Sequence, residues 1–400
     1  MFKWIKNIGP GTLVAAAFIG PGTVTVCTLA GVGFGFALLW AMGLSVISAI
    51  VLQEMSSRVG IITHKGLAEV IKEQLPSPFL KKTSVFLILS AIVVGNTAYE
   101  AGNISGASLG LEAVFGAGYW TAYPFLIGGA AILLLLAGNY KVLESILIVL
   151  VLIMSISFIG AAIMTKPDLI AVLKGITTIS FPDQSILTVV ALVGTTVVPY
   201  NLFLHASLVK EKWNSDKDLK ASRTDTVVSI VLGGLVSMSI VIAAAAIDSD
   251  TVVSVLDLAK GLEPLYGKTA KYFLGVGLFA AGITSSVTAP LAAAYVADNC
   301  FGWKSKLTDR KFRLVWGGII LTGIVLSSLQ IKPIKLIQFA QIANGIVLPV
   351  IAGFLVWVVN KKEVLGRFTN NKFQNFIAGT IVLIALILGV KSILKVFTLL

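Results

Sequence analysis

The sequence predicts an all-α integral membrane protein with eleven transmembrane helices. Three observations carry that expectation. The 400 residues are 56% hydrophobic, with a mean hydropathy of +0.94. Only 12% are charged, about half the share of a soluble domain. Apolar runs of bilayer-crossing length, about 20 residues each, recur from one end of the chain to the other.

The first run, 9–33, opens on Gly9-Pro10, a favourable helix start, and writes Ile-Gly-Pro-Gly-Thr twice, at 8–12 and 19–23. The second copy lies inside the run, where Pro21 removes a backbone donor and the flanking glycines loosen the helix. The second run, 36–57, ends at Arg58, and the third, 84–108, carries Glu100 within it. The fourth, 121–138, stops at Gly138, and the fifth, 143–165, stops before Lys166-Pro167. The sixth, 186–209, has Pro199 in mid-run, and the seventh spans 226–247. Runs at 270–296, 314–330, 336–359 and 374–398 complete the set, separated by short segments rich in Lys and Arg. The first run is too long and too rich in glycine for a cleaved signal peptide. No soluble domain interrupts the runs, so residues 1–400 read as one membrane domain.

A formal net charge of +12 could suggest nucleic acid, but the placement of the charges points to topology. With the N-terminus in the cytoplasm, the cytoplasmic segments hold 22 of the 31 Lys and Arg. That is the positive-inside bias of a cell-membrane protein. Cys27 and Cys300 lie in or beside spans, form no metal-binding spacing, and read as packing residues. No Walker sequence, zinc-protease histidine pair or serine elbow is present, so the chain reads as no enzyme. The lipid bilayer is the expected surrounding, with no nucleic acid, no cofactor and no obligate protein partner implied.

In hydrocarbon, a broken helix persists only where protein or a water-lined cavity satisfies the freed backbone. The sixth run, "LTVVALVGTTVVPYNLFLHASLV", has such a break, with Gly194, Thr195, Thr196, Val198, Tyr200 and Asn201 around Pro199. Runs 1 and 6 occupy matching places if the chain is two inverted five-helix repeats, about 9–165 and 186–359, plus an extra helix at 374–398. Paired interrupted helices in corresponding places point to a substrate site at the membrane midplane. Two proline kinks tolerated for packing are the plainer alternative.

The stretches "GPGTLVAAAFIGPGTVTVCTLAG", "VLQEMSSRVGIITHKGLAEVI", "VGTTVVPYNLFLHASLV", "AAGITSSVTAPLAAAYVAD" and "FAQIANGIVLPVIAGF" together resemble the Nramp family of metal-ion transporters over nearly the whole chain. The resemblance implies a leucine-transporter-type fold, broken helices 1 and 6, and alternating access driven by a cation gradient. It also exposes departures. Family members write Asp-Pro-Gly-Asn in span 1, where this chain has Gly20-Pro21-Gly22-Thr23. They write Met-Pro-His-Asn in span 6, where this chain has Val198-Pro199-Tyr200-Asn201. Of the family's side-chain metal ligands, only the span-10 glutamine has a counterpart, Gln341.

The expected site is therefore hydroxyl and amide: Thr23, Thr25, Thr195, Thr196, Tyr200, Asn201, Gln341 and Asn344, with the backbone at Gly20, Gly22 and Val198. Soft transition metals ask for sulfur or imidazole, and hard ions for carboxylate and carbonyl oxygens. A small organic zwitterion or anion fits this set better than Mn²⁺ or Fe²⁺; the alternatives are a weakly held, largely hydrated Mg²⁺ and, from another class, an ion channel.

Glu100 is the expected coupling group. Asn96, Glu100, Asn103 and Ala107 fall on one helical stripe, and an intramembrane carboxylate is a functional candidate by default. The resemblance places Glu100 on the family's proton route and puts Asn103 where the family has a further acid. H⁺ is the expected coupling ion, ahead of Na⁺; a structural acid bonded to its neighbours is the alternative. Thr284, Ser285, Ser286 and Thr288 in span 8 could hold Na⁺ but read as small packing residues bonding back to their helix. His205 reads as a satisfied histidine, and Glu54, near the cytoplasmic end of span 2, as facing water or pairing with Arg58.

Overall fold

The structure, a computed structural model, describes residues 9–138, 140–247, 267–329 and 333–398. Among these every regular element is a helix. The first run becomes α1 (Pro10–Phe18) and α2 (Pro21–Phe34), bent by 53° at the second Gly-Pro. Next come α3 (Leu39–Thr63), α4 (Leu67–Gln74), α5 (Pro78–Leu89), a π turn at Ser90–Val94, and α6 (Gly95–Phe115). Then follow α7 (Tyr123–Leu136), α8 (Tyr140–Met164) and α9 (Leu169–Thr177). The sixth run splits into α10 (Ile186–Thr196) and α11 (Pro199–Lys212), followed by α12 (Leu219–Ala244). The remainder is α13 (Ala270–Phe301), α14 (Arg310–Ser328), α15 (Pro333–Val359), the short α16 (Lys362–Leu365) and α17 (Lys372–Thr398).

Each of the eleven apolar runs lies on a helix or a broken pair. By length and apolarity, however, eight described helices qualify as spans, or ten if each bent pair is one. The count of eleven is thus not reproduced. Tyr123–Leu136 shows why: its 14 residues rise only about 21 Å, short of a hydrocarbon core of about 30 Å.

Proline and glycine mark the boundaries. Proline takes the first helical position of α1, α2 and α11, where its missing N–H costs no bond. Ser77 accepts from the Leu80 N–H at the start of α5, and Asp168 from the Ile170 N–H at the start of α9. His64 and Gly302 end α3 and α13 in the left-handed region.

Burial separates an inner set of helices from an outer one. In the most apolar stretch of each span, 89% of residues are buried in α13 and 83% in α10–α11, against 22% in α17. The inner helices carry small and polar residues, while the outer ones present Leu, Ile, Val and Phe outward, as a lipid-facing surface does. Helix α6 runs along α13 with glycine at the contact, where a Cβ on Gly110 would collide with the backbone of Gly275 and Phe279; a Cβ on Gly106 would collide with Pro21 of α2.

The end of the bundle carrying the N-terminus is tied by polar contacts. Asp225 at the start of α12 accepts from the N–H of Gly9 and of Gly11, both at 2.7 Å. Ser56 donates to the Leu202 carbonyl, and Ser57 bonds Ser222. Arg58 pairs with Glu54 at 3.1 Å and reaches the Phe368 carbonyl at 2.8 Å. Glu54 also holds Arg223 at 2.8 Å. Of the two expectations for Glu54, pairing with Arg58 is the one present, as part of a three-charge cluster. At the opposite end, Trp40 donates to the Ser180 carbonyl at 3.0 Å, which docks the segment after α9 on α3.

Candidate functional site at the helix breaks

The two breaks face each other inside the bundle. Thr23 donates its hydroxyl to the Phe18 carbonyl across the bend in span 1 and shares a 2.7 Å bond with Thr195 of α10. From the other side of the second break, the Tyr200 hydroxyl donates to the Ala17 carbonyl at 3.0 Å, and the Asn201 amide to the Val14 carbonyl at 3.4 Å. The Ala17 and Phe18 carbonyls, which α1 can no longer bond internally, are thus met by side chains of α11 and α2, and Asn201 adds a second bond at Val14. Span 6 is interrupted at Val197 and Val198, but α10 and α11 run on as one span without a bend like that of span 1.

Thr23, Thr195, Tyr200 and Asn201 are all buried, so the structure brings the expected cluster together in a closed state. One expected residue stands apart from it. Thr196 bonds back to the Leu192 carbonyl at 3.0 Å and touches the Met42 sulfur, facing α3 rather than the bend. Gln341 lies on α15, but its side chain is outside the described residues. Asn344, one turn further along α15, has a buried Nδ2 without a hydrogen-bond partner. Val198 caps α11 in extended conformation (φ −76°, ψ 124°) and has no polar side chain to offer.

Glu100 is fully buried, and Asn103 donates to its Oε2 at 3.2 Å. Its Oε1 has no partner. The Ser286 hydroxyl of α13 lies beside this carboxyl without closing a hydrogen bond of good geometry. Tyr99 and Tyr200, stacked edge to face at 5.8 Å, flank the same region. Asn96 is spent on the Ala289 carbonyl at 2.7 Å, so the stripe expected from spacing is real but divided in purpose.

Span 8 splits the packing expectation. Thr284 and Thr288 bond back to Ala281 and Thr284, as small packing residues do. Ser285 and Ser286 do not; both hydroxyls are buried and unpartnered. Pro290 adds to the imbalance, because it denies the Ser286 carbonyl its helical donor. His205 also departs from expectation: Nδ1 meets the Gln53 side-chain oxygen at 3.0 Å, while Nε2 is left unpartnered.

Gly20 sits at the junction of these groups. A Cβ there would collide with the Ser285 hydroxyl and stand 3.6 Å from Asn103 Oδ1. An aspartate, the family's residue at this place, has no room unless Ser285 moves. Among the described residues, no group of three His, Cys, Asp or Glu could hold a metal ion.

An all-helical bundle of membrane-crossing length, with its first span broken beside an interrupted sixth, defines a multi-pass membrane protein of leucine-transporter type. The family profile "Natural resistance-associated macrophage protein-like" matches residues 11–395, and the chain belongs to this family, Nramp. It is 27% identical to the divalent metal cation transporter MntH of Bacillus subtilis, an alignment covering 98% of this chain and 92% of that one. Its fold is similar to that of the manganese transporter of Eremococcus coleocola, with a TM-score of 0.81 and 19% identity over 97% of this chain and 86% of the other. It is also similar to a nucleobase-cation-symport-1 family transporter with bromovinylhydantoin bound (TM-score 0.60, 14% identity, 97% and 92% covered). At these identities the solved structures speak to fold alone.

Asp225 escaped the sequence reading. It stands one residue before the expected seventh span, and the signal was available: the uncapped helix start at Gly9-Pro10 requires an acceptor from elsewhere.

Proposed function

We propose that the chain is a secondary transporter that moves a small organic solute, zwitterionic or anionic, by alternating access. The observation that carries this reading is the composition of the breaks. Gly20, Thr23 and Val198 stand where family members place metal ligands, and what converges there is hydroxyl, amide and backbone. A transition-metal ion leaving water is best matched by imidazole or sulfur, and a hard divalent ion by carbonyl oxygens together with a compensating carboxylate. A hydrogen-bonding solute needs only matched donors and acceptors.

Coupling to H⁺ runs through Glu100. The groups facing it are Asn103 on its own helix, Ser286 on α13, Tyr200 on α11 and the Gly323 backbone on α14. An ionised Glu100 and an anionic solute in one buried cluster repel each other, so a proton on Glu100 favours loading. The two halves, 9–165 and 186–359, rock about the breaks, with the basic end of the bundle in the cytoplasm.

The second reading, transport of a largely hydrated Mg²⁺, is favoured by the relatives described as divalent metal cation transporters. A thermal-shift panel of Mg²⁺, Mn²⁺, amino acids and small carboxylic acids separates the two. Stabilisation by an organic solute, followed by uptake of that labelled solute into proteoliposomes, is the expected result. Stabilisation by divalent ions alone refutes it.

A further inference from the structure

The repeated Gly-Pro-Gly holds its own demonstration of what it binds. In the first copy, Gly9 caps α1 in extended conformation (φ −129°, ψ −163°) with Pro10 at the first helical position. Pro10 has no N–H, so the donors are those of Gly9 and Gly11. They meet the two oxygens of one carboxylate, Asp225, at 2.7 Å each. Asp225 Oδ2 stands 2.7 Å from the point where a Gly9 Cβ would be.

The second copy has the same local form. Gly20 caps α2 in extended conformation (φ −99°, ψ −177°), with Pro21 at the first helical position. In both copies the first glycine's carbonyl accepts the opening bond of the helix, from Thr12 at 3.0 Å and from Val24 at 3.1 Å. No acidic residue lies in the first turn of α2, and no side chain caps it. In the place that Asp225 takes beside Gly9, the second copy has the hydroxyl of Ser285. That hydroxyl is fully buried and unpartnered, and it lies against the bare Cα of Gly20.

We infer that the second Gly-Pro-Gly takes the carboxylate group of the transported solute. One oxygen accepts from the Gly20 N–H, the other from the Gly22 N–H, and the Ser285 hydroxyl donates a third bond. The inference rests on the organic-solute reading above and narrows it to carboxylates. The physical ground is that a helix N-terminus with free N–H groups stabilises an anion, and α2, at 14 residues, is long enough to contribute its dipole. Glycine at 20 is required because a Cβ would meet Ser285 and close the approach to the N–H. The first copy binds a carboxylate supplied by the chain and so ties α1 to α12; the second meets a hydroxyl donor, Ser285, in place of a carboxylate.

The test uses the purified full chain, titrated with acetate, lactate, pyruvate and L-alanine and with the four matching primary amides, read by tryptophan fluorescence and thermal shift. At least one carboxylate binds saturably, and its amide, equal in size but uncharged at that end, binds at least about tenfold more weakly, as loss of charge-assisted bonds requires. Ser285→Ala weakens the same carboxylate about tenfold, the effect of one hydrogen bond to a charged group. Ser285→Asp, which hangs a carboxylate from α13 as Asp225 hangs from α12, abolishes binding. An amide that binds as well as its acid, or undiminished carboxylate binding by both variants, overturns the inference. If Ser285→Asp fails to fold, the wild-type pairs and Ser285→Ala still decide. Binding of a neutral member alone overturns the carboxylate site while leaving the organic-solute reading intact. Thermal shift by Mg²⁺ or Mn²⁺, titrated alongside, with none by any organic solute overturns both.

Discussion

Replacing Asp225 with Asn tests the tie between α12 and the start of α1. The carboxylate accepts two backbone bonds of 2.7 Å, and its residue is 7% exposed, so solvent offers little compensation. Each bond to a charged group contributes about 1.5–3 kcal/mol. The Asn side chain keeps one oxygen for one glycine N–H and turns its NH₂ toward the other. One charged bond is lost outright, the second becomes neutral, and the positive end of α1 loses its counter-charge. The sum is about 3–5 kcal/mol. For a chain of this size that lowers the melting temperature by about 3–6 °C. Intrinsic fluorescence in detergent is a suitable assay, because Trp213 lies beside Gly9, with its ring 2.7 Å from the point a Cβ would occupy. Its emission should shift red as the start of α1 loosens. Asp216→Asn is the control: it breaks an ion pair with Arg367 whose side chains are 78% and 40% exposed, worth at most about 1 kcal/mol. If Asp225→Asn melts with the control and leaves Trp213 emission unchanged, the tie is not structural.

Three further outcomes are expected. Glu100→Gln keeps the shape of the side chain and fixes it as neutral; labelled-solute exchange across proteoliposomes should persist while accumulation driven by an inward pH gradient disappears, and an undiminished gradient response would make Glu100 a structural acid. Calorimetry should find Mn²⁺ affinity far weaker than in a relative carrying the full ligand set, because Gly20, Thr23 and Val198 replace its carboxylate, amide and thioether; micromolar binding lost on mutating Gln341 would contradict this. Gly106→Ala forces a methyl into Pro21 at the bend and should destabilise by about 1–3 kcal/mol, read as a lower melting temperature, whereas Gly129→Ala on α7, with open space around it, should not.

The sequence by itself determined the solvent, the helices and the location of the breaks. Hydrophobic runs are local in sequence and a proline acts on its own helix, so α1–α2 and α10–α11 were legible at Pro21 and Pro199. The stripe of Asn96, Glu100 and Asn103 was legible for the same reason, since helical spacing alone puts them on one face. What each polar group does was decided only by tertiary structure. Thr195 and Thr196 are neighbours in the chain, yet one bonds Thr23 at the bend and the other faces Met42. Ser285 reads like Thr284, but only its hydroxyl is left over against Gly20. The two Gly-Pro-Gly copies are identical in letters, yet Asp225, more than 200 residues away, bonds the first, while the second meets the Ser285 hydroxyl. A buried hydrogen-bonding group takes its role from whichever partner the packing brings within about 3 Å, and sequence spacing carries no record of that distance between helices.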